Sequence, residues 1–153
     1  MRYQNIFEES WDILIILDAC RFDFFREIYQ DYFSGELEKR KSRGSNTGEW
    51  LTKTFTDKYD LTYISSNPYV NSFGLTLSEC NPKFSYDWKA TNHFSHTIDV
   101  WLDGWDESIG TVHPHEVNMA YFESQNKDKN KKNPSLYPTT FTIFISKLGR
   151  HLG

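Results

Sequence analysis

The clearest hydrophobic pattern lies near the amino terminus, where five consecutive aliphatic residues run from Ile13 to Leu17 between two acids, Asp12 and Asp18. A short continuous apolar run is typical of a buried strand in a parallel sheet that is covered on both faces. Apolar residues then recur at helical spacing over residues 20–32, with charged residues between them. A strand, a short loop and a helix together predict the opening of an α/β unit.

The rest of the chain has a weaker periodicity. It predicts helices near residues 4–10, 47–57 and 114–124, and strands near 61–65, 97–102 and 139–145. Residues 35–43 have the composition of a charged connector with room for a short strand, residues 73–96 are irregular, and residues 126–133 form a polar, lysine-rich connector. We therefore expect an α/β fold of three layers, α/β/α, with a mainly parallel sheet.

Composition narrows the classes of protein that the chain can belong to. Of the 153 residues, 38% are hydrophobic and 25% are charged, which is typical of a globular domain. A formal net charge of −4 argues against non-specific nucleic-acid binding, which needs a basic face. The charge does not exclude an anionic substrate, because a metal ion can supply positive charge locally.

Two features bear on the compartment. The amino terminus has no signal-peptide pattern, and the run from Ile13 to Leu17 is too short to span a bilayer, so no membrane association is expected. Cys20 and Cys80 are the only cysteines and do not form a CxxC pair, so we expect reduced thiols. Both observations favour a cytoplasmic protein.

Asp18 is the strongest candidate for chemistry because it closes the first predicted strand. In open α/β sheets, ligands bind outside the carboxyl ends of the strands. A carboxylate at that position can coordinate a metal ion. The alternative is that Asp18 caps the helix that starts at residue 19 or 20.

The turn from Gly44 to Thr47 is the second candidate. A hydroxyl group at a helix amino terminus lies among free backbone N–H groups, where a phosphate or sulfate group is stabilised. Such a hydroxyl can act as a nucleophile when a metal lowers its pKa. The alternative is helix capping, by Ser45 or by Asn46 in combination with Glu49.

Taken together, the two features resemble the alkaline phosphatase/sulfatase superfamily. The segment from Asp12 to Asp23 is similar to that family's first strand and metal-binding acid, and the segment from Ser42 to Thr47 is similar to its nucleophile turn. The resemblance is to archaeal sulfatase-like proteins in particular, and it covers about residues 10–124.

The resemblance implies a role for each of five residues. Asp18 would hold a divalent metal (zinc, calcium, magnesium or manganese), and Thr47 would be the nucleophile, with Ser45 as the fallback. Arg21 or Arg43 would bind the anion's oxygens through the planar guanidinium, the alternative being plain exposure to solvent. The implied activity is metal-dependent hydrolysis or transfer of a small phosphate or sulfate ester.

The chain also departs from the family. Members bring further metal ligands from their carboxyl-terminal half, including an Asp-His pair, and this chain has no Asp-His dipeptide. Its compact histidine cluster, His113-Pro114-His115, is better explained as the start of a helix. We therefore expect residues 1–125 to be the amino-terminal part of such a domain and residues 126–153 to be a connector and a divergent tail, through truncation or a frameshift near 125–140.

Two alternatives to an active enzyme follow. The first is a catalytically inactive remnant of the fold that acts as a binding module or has no function, and the second is an unrelated α/β interaction module. Oligomerisation is possible, and two chains could complete one site.

Overall fold

The computed structural model of the chain describes residues 1–8, 10–18, 20–129 and 141–145. These residues form a mixed α/β structure with three short two-stranded sheets, two of them parallel and one antiparallel. The chain divides into two compact units. The first comprises residues 1–54 together with the last strand, and the second runs from residue 55 through the long helix that follows the antiparallel sheet.

The first unit contains the opening α/β elements. Strand β1 (Ile13–Leu17) is followed by helix α1 (Phe22–Tyr32) and helix α2 (Thr47–Thr54). The last strand of the described residues (Phe141–Ile145) pairs with β1 in parallel, with Ile15 opposite Ile143. The strand predicted from the aliphatic run and the two helices that follow it are confirmed.

Three expectations for this unit are wrong in detail. Strand β1 is only partly covered, with Ile15 36% exposed. In the described part of the chain it has a single neighbouring strand. Helix α1 begins at Phe22 rather than at residue 20, since Arg21 is extended (φ −85°, ψ 133°). Residues 4–8 form a turn and not a helix, because the Asn5 side chain accepts the backbone N–H of Phe7.

The amino-terminal turn packs against α2. Ile6 and Leu51 are each 1% exposed, and the buried Trp50 indole N–H donates to the Gln4 side-chain oxygen over 2.8 Å. The expected connector at residues 35–43 holds no strand, but Lys41 within it makes a one-residue parallel bridge to Tyr3. These contacts fix the start of the chain beside α2.

The second unit is built on strand β2 (Tyr59–Ser65), which pairs in parallel with strand β3 (Phe94–Asp99). Between them lie the short helix α3 (Leu77–Cys80) and a 3₁₀ turn (Ala90–Asn92). The core of this unit is aromatic, as its high content of rings favours. Its central members are Phe55, Trp88 and Phe94, all buried.

Two boundaries in this unit differ from the predictions. The strand expected at 97–102 ends at Asp99, and the next residues form helix α4 (Val100–Gly104). A small hairpin follows, with β4 (Trp105–Asp106) antiparallel to β5 (Thr111–Val112). Helix α5 (Pro114–Lys129) starts at the predicted proline but continues into the expected connector, because Lys127 and Lys129 there are good helix formers.

Two further findings concern the whole of the described chain. No helix in it is long and apolar enough to cross a membrane. Both cysteines are free thiols of intermediate exposure. Partial burial raises the pKa of Cys20 and of Cys80, which favours the neutral thiol over the thiolate.

Candidate active site

Asp18 lies immediately beyond the carboxyl end of β1. It does not cap α1, since the residue at the cap position of that helix is Arg21 and no side chain makes a capping hydrogen bond there. The Asp18 carboxylate is exposed, and its Oδ2 accepts a hydrogen bond from Thr47 Oγ1 over 3.0 Å. Two residues that are 29 positions apart in sequence therefore meet at one point.

Thr47 is the first residue of α2, and the turn before it is set by Gly44. A β-carbon at Gly44 would lie 2.3 Å from the Trp50 backbone nitrogen and 2.6 Å from its Cα. No side chain fits there, because backbone atoms cannot move aside as the end of a flexible side chain can. The Ser42 hydroxyl closes the turn by donating to the Gly44 carbonyl over 2.9 Å.

Asn46 caps α2. Its side-chain oxygen accepts the Glu49 backbone N–H over 2.9 Å, and its carbonyl accepts the Trp50 N–H over 3.0 Å. This is half of the capping arrangement expected from the Asn46–Glu49 spacing. Because Asn46 performs the capping, the Thr47 side chain is left to bind Asp18.

Ser45 has a different partner. Its hydroxyl and its backbone N–H both donate to Glu49 Oε2, over 2.6 Å and 2.7 Å. The other oxygen of that carboxylate is held by Lys53. The hydrogen bonds from Lys53 and Ser45 lower the pKa of Glu49 to about 2. A carboxylate with so low a pKa is a weak proton acceptor, so the Ser45 hydroxyl is held but not activated.

The two candidate arginines differ in their surroundings. Arg21 is exposed and forms a two-pronged ion pair with Asp23, which lies in the first turn of α1. This pairing raises the pKa of Arg21 and lowers the pKa of Asp23. Arg43 is half-buried one residue before Gly44, and its guanidinium has no ion-pair or hydrogen-bond partner among the described residues. Of the two, Arg43 lies closer in sequence to Thr47 and is the one that could take an anion.

The residues present meet a divalent metal's requirements only in part. Within the described ranges no group of three or more His, Cys, Asp and Glu side chains could hold a metal ion. A catalytic zinc site needs three protein ligands, which the Asp18 carboxylate and the Thr47 hydroxyl do not supply. Magnesium binds through one or two carboxylates, with water and substrate oxygens completing its shell, so this pair of side chains fits magnesium better.

The second unit holds another acid at a strand end, which sequence reasoning missed. Asp99 is the last residue of β3, much as Asp18 follows β1. The sequence signal was also similar, because Asp99 follows two β-branched residues, Thr97 and Ile98. Both Asp99 oxygens accept the Ser72 backbone N–H, over 3.1 and 3.2 Å, and Oδ1 also accepts the Trp101 indole N–H over 3.2 Å. This acid therefore organises a loop.

The histidine cluster stands at the start of a helix, as expected. Pro114 is the first residue of α5, and His113 just before it faces Asp106 of the hairpin, with Nε2 and Oδ2 3.7 Å apart. Hydrogen bonds from Ser108 lower the pKa of Asp106, and the electrostatic influence of His113 lowers it further.

The fold and the site together define a mixed α/β protein with a hydroxyl–carboxylate pair between the end of a parallel strand and the start of a helix. No protein-family model, curated protein or solved structure matches the chain.

Proposed function

We propose that the chain is a sulfatase-like, metal-dependent hydrolase or transferase of small phosphate or sulfate esters, with Thr47 as the nucleophile. The observation that carries the proposal is the 3.0 Å hydrogen bond from Thr47 Oγ1 to Asp18 Oδ2. It joins the two residues that the superfamily resemblance assigns to the nucleophile and the metal ligand. By the same resemblance, we propose that the mixed α/β structure belongs to a three-layer α/β/α domain.

Asp18, together with substrate oxygens and water, would hold the divalent cation. When bound, such a cation supplies positive charge that lowers the pKa of a hydroxyl and stabilises the ester oxygens. Backbone N–H groups in the first turn of α2, such as those of Thr47 and Gly48, have no intrahelical acceptor and favour an anion beside them. The Arg43 guanidinium is the nearest candidate in sequence for a further contact with the anion.

The proposed reaction has two steps, the formation of a covalent intermediate on Thr47 and its release. The Thr47 hydroxyl loses its proton along the hydrogen bond to Asp18, and Oγ1 bonds to the phosphorus or sulfur of the ester. The bond from that atom to the ester oxygen breaks, and the leaving alcohol takes up the proton that Asp18 releases, relayed by water. A water molecule, or an acceptor alcohol in a transferase, then attacks the same atom and gives one proton to Oγ1 as the bond to Thr47 breaks.

The test is turnover of para-nitrophenyl phosphate and para-nitrophenyl sulfate in the presence of magnesium, manganese, calcium or zinc. Thr47→Ala and Asp18→Ala should each lower kcat/KM by at least about 10³-fold, since each removes a group without which the others do little. Ser45→Ala removes the other hydroxyl of the turn and should stay within about twofold of wild type.

Loss of activity in Ser45→Ala with retention in Thr47→Ala would move the nucleophile to Ser45. Activity that is equal in all three variants would disprove the proposed site.

An inactive binding module is the second candidate. The specific observation that favours it is the small number of ligands, since the described residues bring a single carboxylate to Thr47 and offer no larger metal-binding group. Calorimetry with inorganic phosphate or sulfate distinguishes the two functions. Binding without turnover of either ester under any of the four metals would support the module.

A further inference from the structure

Helix α1 carries a row of large apolar side chains that the rest of the described chain leaves uncovered. Phe24, Ile28 and Tyr32 are 61%, 50% and 74% exposed. They are spaced four residues apart and therefore lie on one face of the helix. A neighbouring face of the same helix packs inward through Phe25, which is buried and stacks with Tyr29. Single exposed apolar residues are ordinary, but a contiguous row of three is typical of an interaction surface.

The ends of this row carry opposite charges. Arg21, Phe24, Ile28 and Asp31 follow one another at intervals of three, four and three residues, which is the spacing of a coiled-coil seam. We call these four residues the α1 seam. All four are exposed. The seam therefore has a cation at its amino-terminal end, two apolar side chains in the middle and an anion at its carboxyl-terminal end.

Such a seam is complementary to itself when two copies run antiparallel. A two-fold axis near residue 26 sets Arg21 against Asp31 of the second copy, and Phe24 against Ile28 of the second copy. The symmetry makes each of these contacts twice, as in any two-fold interface. In a parallel pair, by contrast, Arg21 would meet Arg21 and Asp31 would meet Asp31.

We propose that the α1 seam is a self-association surface through which two copies of this chain form an antiparallel dimer. The charged ends set the orientation, and the apolar centre supplies the area removed from water. An 11-residue helix covers less than the roughly 800 Å² per partner of a standard interface, so the dimer is weak and depends on concentration. Exposed ion pairs are screened by salt, so dissociation increases with ionic strength.

The existing pair of Arg21 with Asp23 is compatible with this contact. Asp23 takes Nε and Nη2 of the guanidinium. The guanidinium has five N–H donors in all, so Nη1 can reach Asp31 of the second copy. The proposal goes beyond the proposed hydrolase function and does not depend on it. Of the candidate site residues only Arg21 belongs to the seam, and the proposed function places the anion contact on Arg43 instead.

The test uses two charge reversals and analytical ultracentrifugation at up to about 500 µM, where a weak interface is still populated. Arg21→Asp sets like charges against Asp31 at both ends, and Asp31→Arg does the same with Arg21. Each variant alone should be monomeric under conditions in which the wild type dimerises. An equimolar mixture of the two should dimerise again, because every contact in the mixed pair joins opposite charges.

Each substitution places a residue that suits its end of the helix, which limits any loss of α1. Aspartate is a good residue for the cap position that Arg21 occupies, and a cation in the last turn is favoured by the helix dipole. Far-UV circular dichroism checks that helix content is kept. Arg26→Asp changes an exposed cation on the same helix away from the seam and should leave the dimer intact.

Ile28→Ser should abolish self-association in the wild type and in the mixture, because it removes the centre of the seam. A wild-type chain that is monomeric at every concentration would overturn the proposal. So would a mixture that dimerises no more than its separate components, or reversed variants that dimerise as the wild type does.

Discussion

Two hydroxyl groups stand two residues apart in the turn before α2, and their partners separate their chemistry. The Thr47 hydroxyl donates to Asp18, whereas the Ser45 hydroxyl donates to a carboxylate that also binds Lys53. The two partners could not be predicted from the sequence, because the hydrogen bond from Ser45 to Glu49 depends on where the two side chains lie in the folded chain. The capping-box spacing was the only available signal, and it pointed to Glu49 with Asn46.

The low pKa of Glu49 predicts a pH dependence of stability. Its pKa is lowered from 4.5 to about 2 in the folded chain. A depressed carboxylate pKa stabilises the fold above the unfolded-state value, and that stabilisation is lost as the pH falls through the folded-state value. The free energy of unfolding should therefore exceed that of Glu49→Gln at pH 6, and the difference should shrink between pH 4.5 and about pH 2.

Chemical denaturation of both proteins at several pH values measures this difference directly. Glutamine keeps an oxygen acceptor for Ser45 and removes the charge, so the comparison isolates ionisation. Asp31→Asn serves as the control, because it neutralises an exposed acid elsewhere in the same unit. A constant difference between wild type and Glu49→Gln over the whole pH range would contradict the prediction.

At the scale of the elements, we expect the aromatic cluster of the second unit to contribute most to the free energy of unfolding. Phe55 is 1% exposed and meets Phe94 edge to face, with ring centroids 4.8 Å apart. Phe55→Ala should destabilise the chain by about 3–5 kcal/mol, from lost burial and the cavity left behind. Phe73→Ala, at a ring that is 59% exposed in the same unit, should stay within about 0.5 kcal/mol of wild type.

Denaturant titration followed by circular dichroism measures both variants. Equal effects of the two substitutions would show that Phe55 is not central to the packing of β2 and β3.

The elements that sequence predicted well are those with a strong local pattern. The aliphatic run gave β1 within its exact bounds, and Pro114 gave the start of α5. Boundaries were wrong where a side chain decides the backbone path. Val100 and Trp101 have strand propensity, yet the strand ends at Asp99, which binds the Ser72 N–H and the Trp101 indole.

The register of the paired strands and the coverage of β1 could not be predicted from the sequence. The aliphatic composition of β1 predicted coverage on both faces, but which elements pack on those faces is a non-local property that no local pattern carries. The superfamily resemblance, which rests on the order of strand, acid, helix and hydroxyl turn, assigned Asp18 and Thr47 to one site. The steric limit at Gly44 was not expected, since it arises from the approach of the Trp50 backbone.

At the scale of the whole molecule, the net charge of −4 constrains how an anionic ester can bind. The overall field repels a phosphate or sulfate group, so any attraction must come from nearby positive charge. The start of α2 offers the partial charge of free N–H groups, Arg43 offers a full charge, and Asp18 offers a place for a cation. Anion binding should therefore depend on the cation.

This dependence gives a last prediction, which holds for an enzyme and for a binding module alike. Magnesium or manganese with inorganic phosphate should stabilise the folded chain, by about 2.7 kcal/mol at a hundredfold excess over Kd. For a chain of this size that corresponds to a rise in Tm of about 5–10 °C. Phosphate alone, or the metal with phosphate after addition of a chelator, should give a much smaller rise.

Differential scanning calorimetry on two matched variants locates the effect. Asp18→Asn keeps an oxygen that can accept from Thr47 but loses the charge that holds a cation, so it should abolish the rise. Asp23→Asn neutralises an exposed acid that binds Arg21. It should keep the rise in Tm, because Asp23 is not part of the Asp18–Thr47 pair. If Asp18→Asn were stabilised as much as the wild type, the cation would bind elsewhere, and the 3.0 Å contact between Thr47 and Asp18 would be a structural hydrogen bond only.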